Sequence, residues 1–258
     1  MSPFIFKLMF ESIVFIHGFA GHPEHTWTFN DGIAGQPIES SPSKVRKTRK
    51  SFSRHHPNSE DAVPAIHWPR DLLPKTASSA RILTYGYDTR IWHQPGTRVD
   101  RTTVYNISWD LLLDLRASRE TDLSRPVLFV AHGLGGVIVE ETLWLSRSCQ
   151  MGGAQHCDIF HSTIGIVFFG TPHPGADTGH YLQRIAERSI NVAGLPVDEQ
   201  LINAFLPSTE HLEELAGELG PMARERKWVI HSFQEQVDVA FIDNYKTCRH
   251  FDCACFDT

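Results

Sequence analysis

No apolar run in the sequence reaches the roughly 18 residues that a membrane-spanning helix needs. The opening, MSPFIFKLMFESIVFIHG, has neither the basic start nor the small-residue cleavage site of a secretory signal, so the expectation is a soluble, unprocessed, cytoplasmic chain without a transmembrane segment. Cysteine is scarce. The five residues are an odd number, and Cys248, Cys253 and Cys255 crowd the end of the chain, which fits no paired disulfide framework and suits a reducing compartment. Positive charge is short as well: 24 Lys and Arg against 30 Asp and Glu leave a net −6. That is the wrong sign for a protein that works by neutralising phosphates, and no nucleic-acid partner is expected. There is no internal repeat. What the chain has in quantity is apolar matter, 41% of 258 residues, enough for a core and too much for global disorder.

That apolar content comes in short runs: IVFIHG (13–18), RILTYGYD (81–88), RPVLFVAHG (125–133), STIGIVFFGTP (162–172) and KWVIHSF (227–233). They are rich in β-branched and aromatic residues, continuous rather than alternating, and bounded by Gly, Pro or charge. Strands buried on both faces of a parallel sheet read this way. Between them lie segments with helical spacing, TVYNISWDLLLDLRAS, GGVIVEETLWLSRS, GHYLQRIAERSIN and STEHLEELAGELGPMARER. Strands alternating with helices predict an α/β fold with helices on both faces of a mostly parallel sheet. In the last segment Ser208 or Thr209 can cap the helix, and Gly220-Pro221 is expected to interrupt or kink it. Trp109, Leu111, Leu112, Leu113 and Leu115 are expected to form a helix face packed on the sheet.

Residues 30 to about 62 break this rhythm with Gly, Ser, Pro and charge, and read as a polar, basic surface insertion. Lys44, Arg46, Lys47, Arg49, Lys50 and Arg54 occur there with no acid between Glu39 and Glu60. The run is either a solvated flexible loop or a patch for nuclear targeting or an anionic surface.

The most informative stretch is PVLFVAHGLGGVIVEETL (126–143). A buried strand runs into His132, Gly133, Leu134, Gly135 and Gly136, and an apolar helix leaves from there. Small residues around a strand-to-helix turn are the signature of a nucleophile elbow, usually G-x-S-x-G, in which the glycines let the turn tighten against the sheet. Here the nucleophile's place holds Gly133, which has no side chain.

With IVFIHGFAGHPEHTW (13–27), HWPRDLLP (67–74), ARILTYGYDT (80–89), RPVLFVAHGLGG (125–136) and GIVFFGTPHPGAD (165–177), the chain resembles the serine esterase and lipase-like family of the α/β-hydrolase superfamily. That group includes the serine-active-site-containing proteins and the hydrolase-like domains of fungal NOD-like receptors. The resemblance runs in order to about Phe233. It implies one α/β-hydrolase domain over residues 1–258, with the insertion and a degenerate, shortened tail at about 237–258. It also implies a backbone oxyanion hole, whose donors by position are the amides of Phe19 and Leu134, and elbow and cleft residues His17, Gly18, His132, Gly135, Gly136 and His173. The family's Ser falls on Gly133. For the acid, Asp238 or Asp243 remains, and for the base His250, with Tyr245 near where a His is expected; ordinary surface residues of a shortened tail are the alternative.

No cofactor is implied and no metal is expected. Cys248, His250, Cys253 and Cys255 sit in one short run rather than the two knuckles of a zinc site, and His156, Cys157 and His161 lie on the approach to a strand. Three readings of function follow. The chain is a hydrolase-fold binding or scaffold module without hydrolase chemistry, its partner a protein or a lipid or ester ligand. Alternatively it is an active ester or lipid hydrolase with a relocated nucleophile or oxyanion-hole catalysis alone. The third reading is an incomplete or misassembled coding sequence of such an enzyme.

Overall fold

The computed structural model describes residues 11–19, 21–29, 65–87, 103–149, 158–171 and 205–233, with Gln183, Glu187 and Asn203 besides. Five strands form the central sheet: β1 (Ser12–Ile16), β4 (Arg81–Tyr85), β5 (Val127–His132), β6 (Thr163–Phe169) and β7 (Val229–Phe233). Their order is β4-β1-β5-β6-β7 and every neighbouring pair is parallel, so the fold is α/β. A separate two-stranded antiparallel ribbon pairs β2 (Thr28–Phe29) with β3 (Ile66–His67). Two four-residue helices follow it, α1 (Trp68–Asp71) and α2 (Leu73–Thr76), each with Pro in its first turn, where the missing N–H is not needed. The longer helices are α3 (Val104–Ser118), α4 (Leu134–Ser148) and α6 (Thr209–Arg226), with a short α5 (Asp158–Ser162).

Because successive side chains on a strand point to opposite faces, each apolar run feeds two cores. Val14, Ile16, Phe129, Ala131, Ile166, Phe168 and Ile230 pack with α3, α4 and α6 on one face. Ile13, Phe15 and Val130 pack with Trp27, Ala77, Trp68 and Leu73 on the other. Helix α3 presents Val104, Ile107, Ser108, Leu111, Leu112 and Leu115 to the first core at helical spacing. Leu113 departs from the expected face and is exposed, since it falls on the opposite side of that stripe. Small residues let α3 and α4 approach: Ser108 Oγ donates to Ile138 O, and Thr142 Oγ1 donates to Ser108 O, both at 3.2 Å.

Helix α6 is capped by Ser208, whose Oγ accepts from the His211 N–H at 3.2 Å. The expected interruption at Gly220-Pro221 does not occur, and the helix continues to Arg226 with Pro221 inside it. An interior proline costs about 3 kcal/mol. Leu215 and Leu219 before it and Met222 and Ala223 after it are all buried in the first core, and the two leucines and the methionine, at about 1.5–3 kcal/mol each, outweigh that cost. Arg147 of α4 reaches Glu218 at 2.8 Å and Glu225 at 2.9 Å, tying α6 across the same layer.

The topology places the site. From β1 the chain moves outward to β4, then returns to lay β5 on the other side of β1. The connections after β1 and β5 therefore diverge, which opens a crevice at their carboxyl ends, where ligands of open α/β sheets bind.

Candidate functional site

Two turns line that crevice. The first is the junction of β5 and α4 at Gly133, whose φ is +52° and ψ −122°, a conformation open to glycine and costly to side chains. Its N–H donates to Phe169 O at 2.8 Å. Its carbonyl accepts from the Gly136 N–H at 3.0 Å and from Thr171 Oγ1 at 3.2 Å. A Cβ placed on Gly133 would meet nothing closer than Gly18 Cα at 3.8 Å, so there is room for a side chain that the sequence does not supply.

The second turn follows β1, where Gly21 N–H bonds Gly18 O at 3.0 Å. This hydrogen bond does not use the Phe19 N–H. At Leu134, the first residue of α4, the N–H belongs to the helix's unpaired first turn, where the peptide dipoles leave partial positive charge. Both amides thus lie on the two turns that flank the crevice. The Phe19 ring meets Phe205 edge-on at 5.9 Å.

Three glycines hold these turns together by contact. A Cβ on Gly135 would fall 2.5 Å from His17 O and 2.6 Å from Ile16 O, and one on Gly136 would fall 2.2 Å from Thr171 Oγ1. On Gly18 it would fall 2.8 Å from His132 Nδ1 and 2.9 Å from His132 O. The start of α4 is therefore pressed directly onto the end of β1.

His17 is fully buried in this junction. Its Nδ1–H donates to Gly18 O at 2.9 Å, which leaves Nε2 to accept the Tyr87 N–H at 3.4 Å. The Tyr87 hydroxyl donates to His17 O at 2.6 Å, and the two rings stack at 4.2 Å. Burial pushes the His17 pKa down, keeping the ring neutral, and burial pushes the Tyr87 hydroxyl up, keeping it a donor. With both nitrogens occupied, His17 is a clamp between β1 and the segment after β4. His132, on β5 before the turn, faces the edge of Trp27 at 6.5 Å.

The crevice thus brings together His17, Gly18, Phe19, His132, Gly133, Leu134, Gly135 and Gly136 of the sequence-predicted set. Asp238, Asp243, His250 and His173 lie outside the described residues, as do the basic insertion, the tail and Cys248, Cys253 and Cys255. Among the described residues no group of three His, Cys, Asp or Glu side chains could hold a metal ion, and no helix is long and apolar enough to cross a membrane.

Sequence reasoning missed Tyr87 and Thr171, and it missed two buried acids of α4. Glu140 is buried and its carboxyl is pushed up to about 8 by loss of water. Glu141, also buried, meets His211 Nε2 at 2.6 Å. Desolvation raises its pKa, against the hydrogen bond from His211, which lowers it. His211 Nδ1 lies 3.5 Å from Glu214, and the ring meets Trp144 edge-on at 5.7 Å. The available signal was the pair of acids inside an otherwise apolar helix.

No family model matches the chain. Among curated proteins it is similar to protein SERAC1 of Homo sapiens, 25% identical over 225 residues, which is 86% of this chain and 30% of that protein. The Mus musculus and Danio rerio proteins of the same name are 24% identical over 226 and 231 residues, covering 86% and 87% of this chain. The chain thus spans about 30% of the length of the curated relatives it matches.

Proposed function

We propose that this chain is a hydrolase-type binding module: a serine esterase or lipase-like architecture that holds a lipid or ester ligand, or a protein partner, without serine hydrolase chemistry. One observation carries the reading. The turn that would present a nucleophile is built, at φ +52° with open space beside it, and the residue on it is Gly133. A nucleophile needs an oxygen or sulfur atom and a base to activate it, and Gly133 supplies neither. His17 is engaged at both nitrogens. The similarity to proteins named SERAC1 supports the hydrolase-like part of the reading.

The two turn amides favour a second, weaker reading, since backbone donors survive loss of a side chain. A hole without a triad leaves roughly 10³–10⁴-fold over water in well-studied serine proteases, which would appear as slow ester hydrolysis with no covalent intermediate.

Covalent labelling with a fluorophosphonate separates these from an intact hydrolase. No serine is expected to label: Ser108 donates to Ile138 O, Ser162 donates to Leu123 O, and Ser208 caps α6. Stoichiometric labelling of any serine overturns the proposal. Gly133→Ser is expected to fit sterically yet yield no competent esterase on short acyl esters, because triad members act as a unit. A large gain in turnover would mean that an acid and a base are in place, and His250 would be the first to replace.

A further inference from the structure

We propose that the outer face of helix α3, with Tyr105, Trp109 and Leu113 in line, is a docking surface for a basic amphipathic helix of another protein. The three residues follow one another at intervals of four, which sets them on successive turns along one side of the helix. Val104, Ile107, Leu111, Leu112 and Leu115 occupy the core side of α3, so this second row lies outside it. Tyr105 is 53% exposed and Leu113 38%, while Trp109 between them is half-buried against the core. Single apolar side chains on a surface are ordinary, whereas two aromatics and a leucine in one row form a continuous strip, extended by the exposed Ala117. From residue 105 to residue 117 the row runs for about 18 Å, enough to seat a helix of about three turns.

Charge selects the partner. Asp110 and Asp114, both exposed, run beside that row at the same interval. Among the described residues neither is in an ion pair, and the one basic side chain of the helix, Arg116, is turned to Asp158 at 3.5 Å. The two acids lie toward the edge strand β4, where burial raises the pKa of the Tyr85 hydroxyl and the charges of Asp114 and Asp110 raise it further. Ridges of side chains four residues apart pack into the grooves of a facing helix. A partner with Lys or Arg at that spacing beside its own apolar row would set its cations against these acids. A second copy presenting the same face brings the same two acids, and an anionic bilayer is repelled by them. The proposal does not depend on what the Gly133 turn binds.

The test is titration of the full chain into a fluorescent amphipathic helical peptide of Leu and Lys, read by anisotropy, with a peptide of Leu and Glu in the same pattern as its counterpart. The Leu/Lys peptide is expected to bind at least about tenfold more tightly than the other, and its affinity is expected to fall as salt rises from about 0.1 M to 1 M. D110K/D114K should reverse that preference, whereas the charge-conserving D110E/D114E should bind as the parent does, separating charge from damage to the fold. Y105S/L113S should weaken binding on the order of tenfold. E210K/E213K makes the same change of charge at exposed positions of α6 and should leave the Leu/Lys peptide at the parent's affinity, separating this face from general attraction to an acidic chain. No binding, equal binding of the two peptides, or parental affinity in D110K/D114K or in Y105S/L113S would overturn the proposal. So would an equal loss in E210K/E213K. A dimer in sedimentation that Y105S/L113S dissolves would assign the strip to a second copy and overturn it equally.

Discussion

At the start of α4, Gly135 and Gly136 set the helix backbone against the Ile16 and His17 carbonyls and the Thr171 side chain, whereas a turn further on Glu140 and Glu141 bury two carboxyl groups in the helical layer. One end is held by the absence of side chains, and the two glycines that hold it have no proton to gain or lose. The other is held around groups whose charge depends on pH. The crevice lies at the first end, so its geometry is set by steric contact, while the stability of the helix that forms it is tied to proton binding further along. Substitutions at the two ends should therefore differ in kind as well as in size.

The largest loss of stability is expected at Gly135. A methyl group there meets two backbone carbonyls, neither of which can rotate away, so α4 must lift from β1. Overpacking of this kind costs about 1–3 kcal/mol and occasionally more, and rigid backbone on both sides puts Gly135→Ala at the upper end. The loss should be the same at pH 5 and pH 9 in denaturant unfolding. A neutral Gly135→Ala would mean that the two elements are not in contact.

Next comes Glu140, where the contrast becomes a slope. Its pKa stands at about 8 in the folded chain against an ordinary 4.5, so between these values the folded state holds a proton that the unfolded state has released. More protons bound when folded means that stability falls as pH rises through this window and levels off above it. Glu140→Gln keeps the shape and removes the titration. It should flatten that fall, gaining up to a few kcal/mol at pH 9 over the parent and little at pH 4, at roughly 1.4 kcal/mol per pH unit. An unchanged slope in Glu140→Gln would place the pH dependence elsewhere.

The same contrast explains what could be read from the sequence. All five strands of the sheet were visible, because a strand buried on both faces must be apolar at every position, and the runs around Val14, Leu83, Phe129, Ile166 and Ile230 are. The turn at Gly133 was visible because close packing demands small residues at fixed offsets. The ribbon and helices α1 and α2 were not, being two and four residues long, too short to show a period. Glu141 escaped for a different reason. An acid in a helix normally marks the solvent face, and what permits its burial is His211, 70 residues away in sequence. Pro221 misled similarly, since local propensity argues for a break that only the buried neighbours of α6 overrule.

The smallest expected effect is the one that bears most directly on the crevice. Gly133 differs from Gly135 in that space is open around it and only its backbone angles exclude a side chain. Holding a residue with a Cβ at such angles costs of order 1–3 kcal/mol. Against this, replacing glycine stiffens the unfolded chain and returns about 0.4–1 kcal/mol. The strain is the larger of the two, so Gly133→Ala should be destabilising by about 1 kcal/mol, lowering the thermal midpoint by about 2–4 °C in a chain of this size. Gly135→Ala should lower it several times further. This ordering follows from the physical difference between the positions, one strained in the backbone and the other crowded by its neighbours. A Gly133→Ala midpoint at or above the parent's would mean that residue 133 relaxes to ordinary angles in solution. Glycine there would then confer no conformational advantage, and the turn would not be held in the shape that presents a nucleophile.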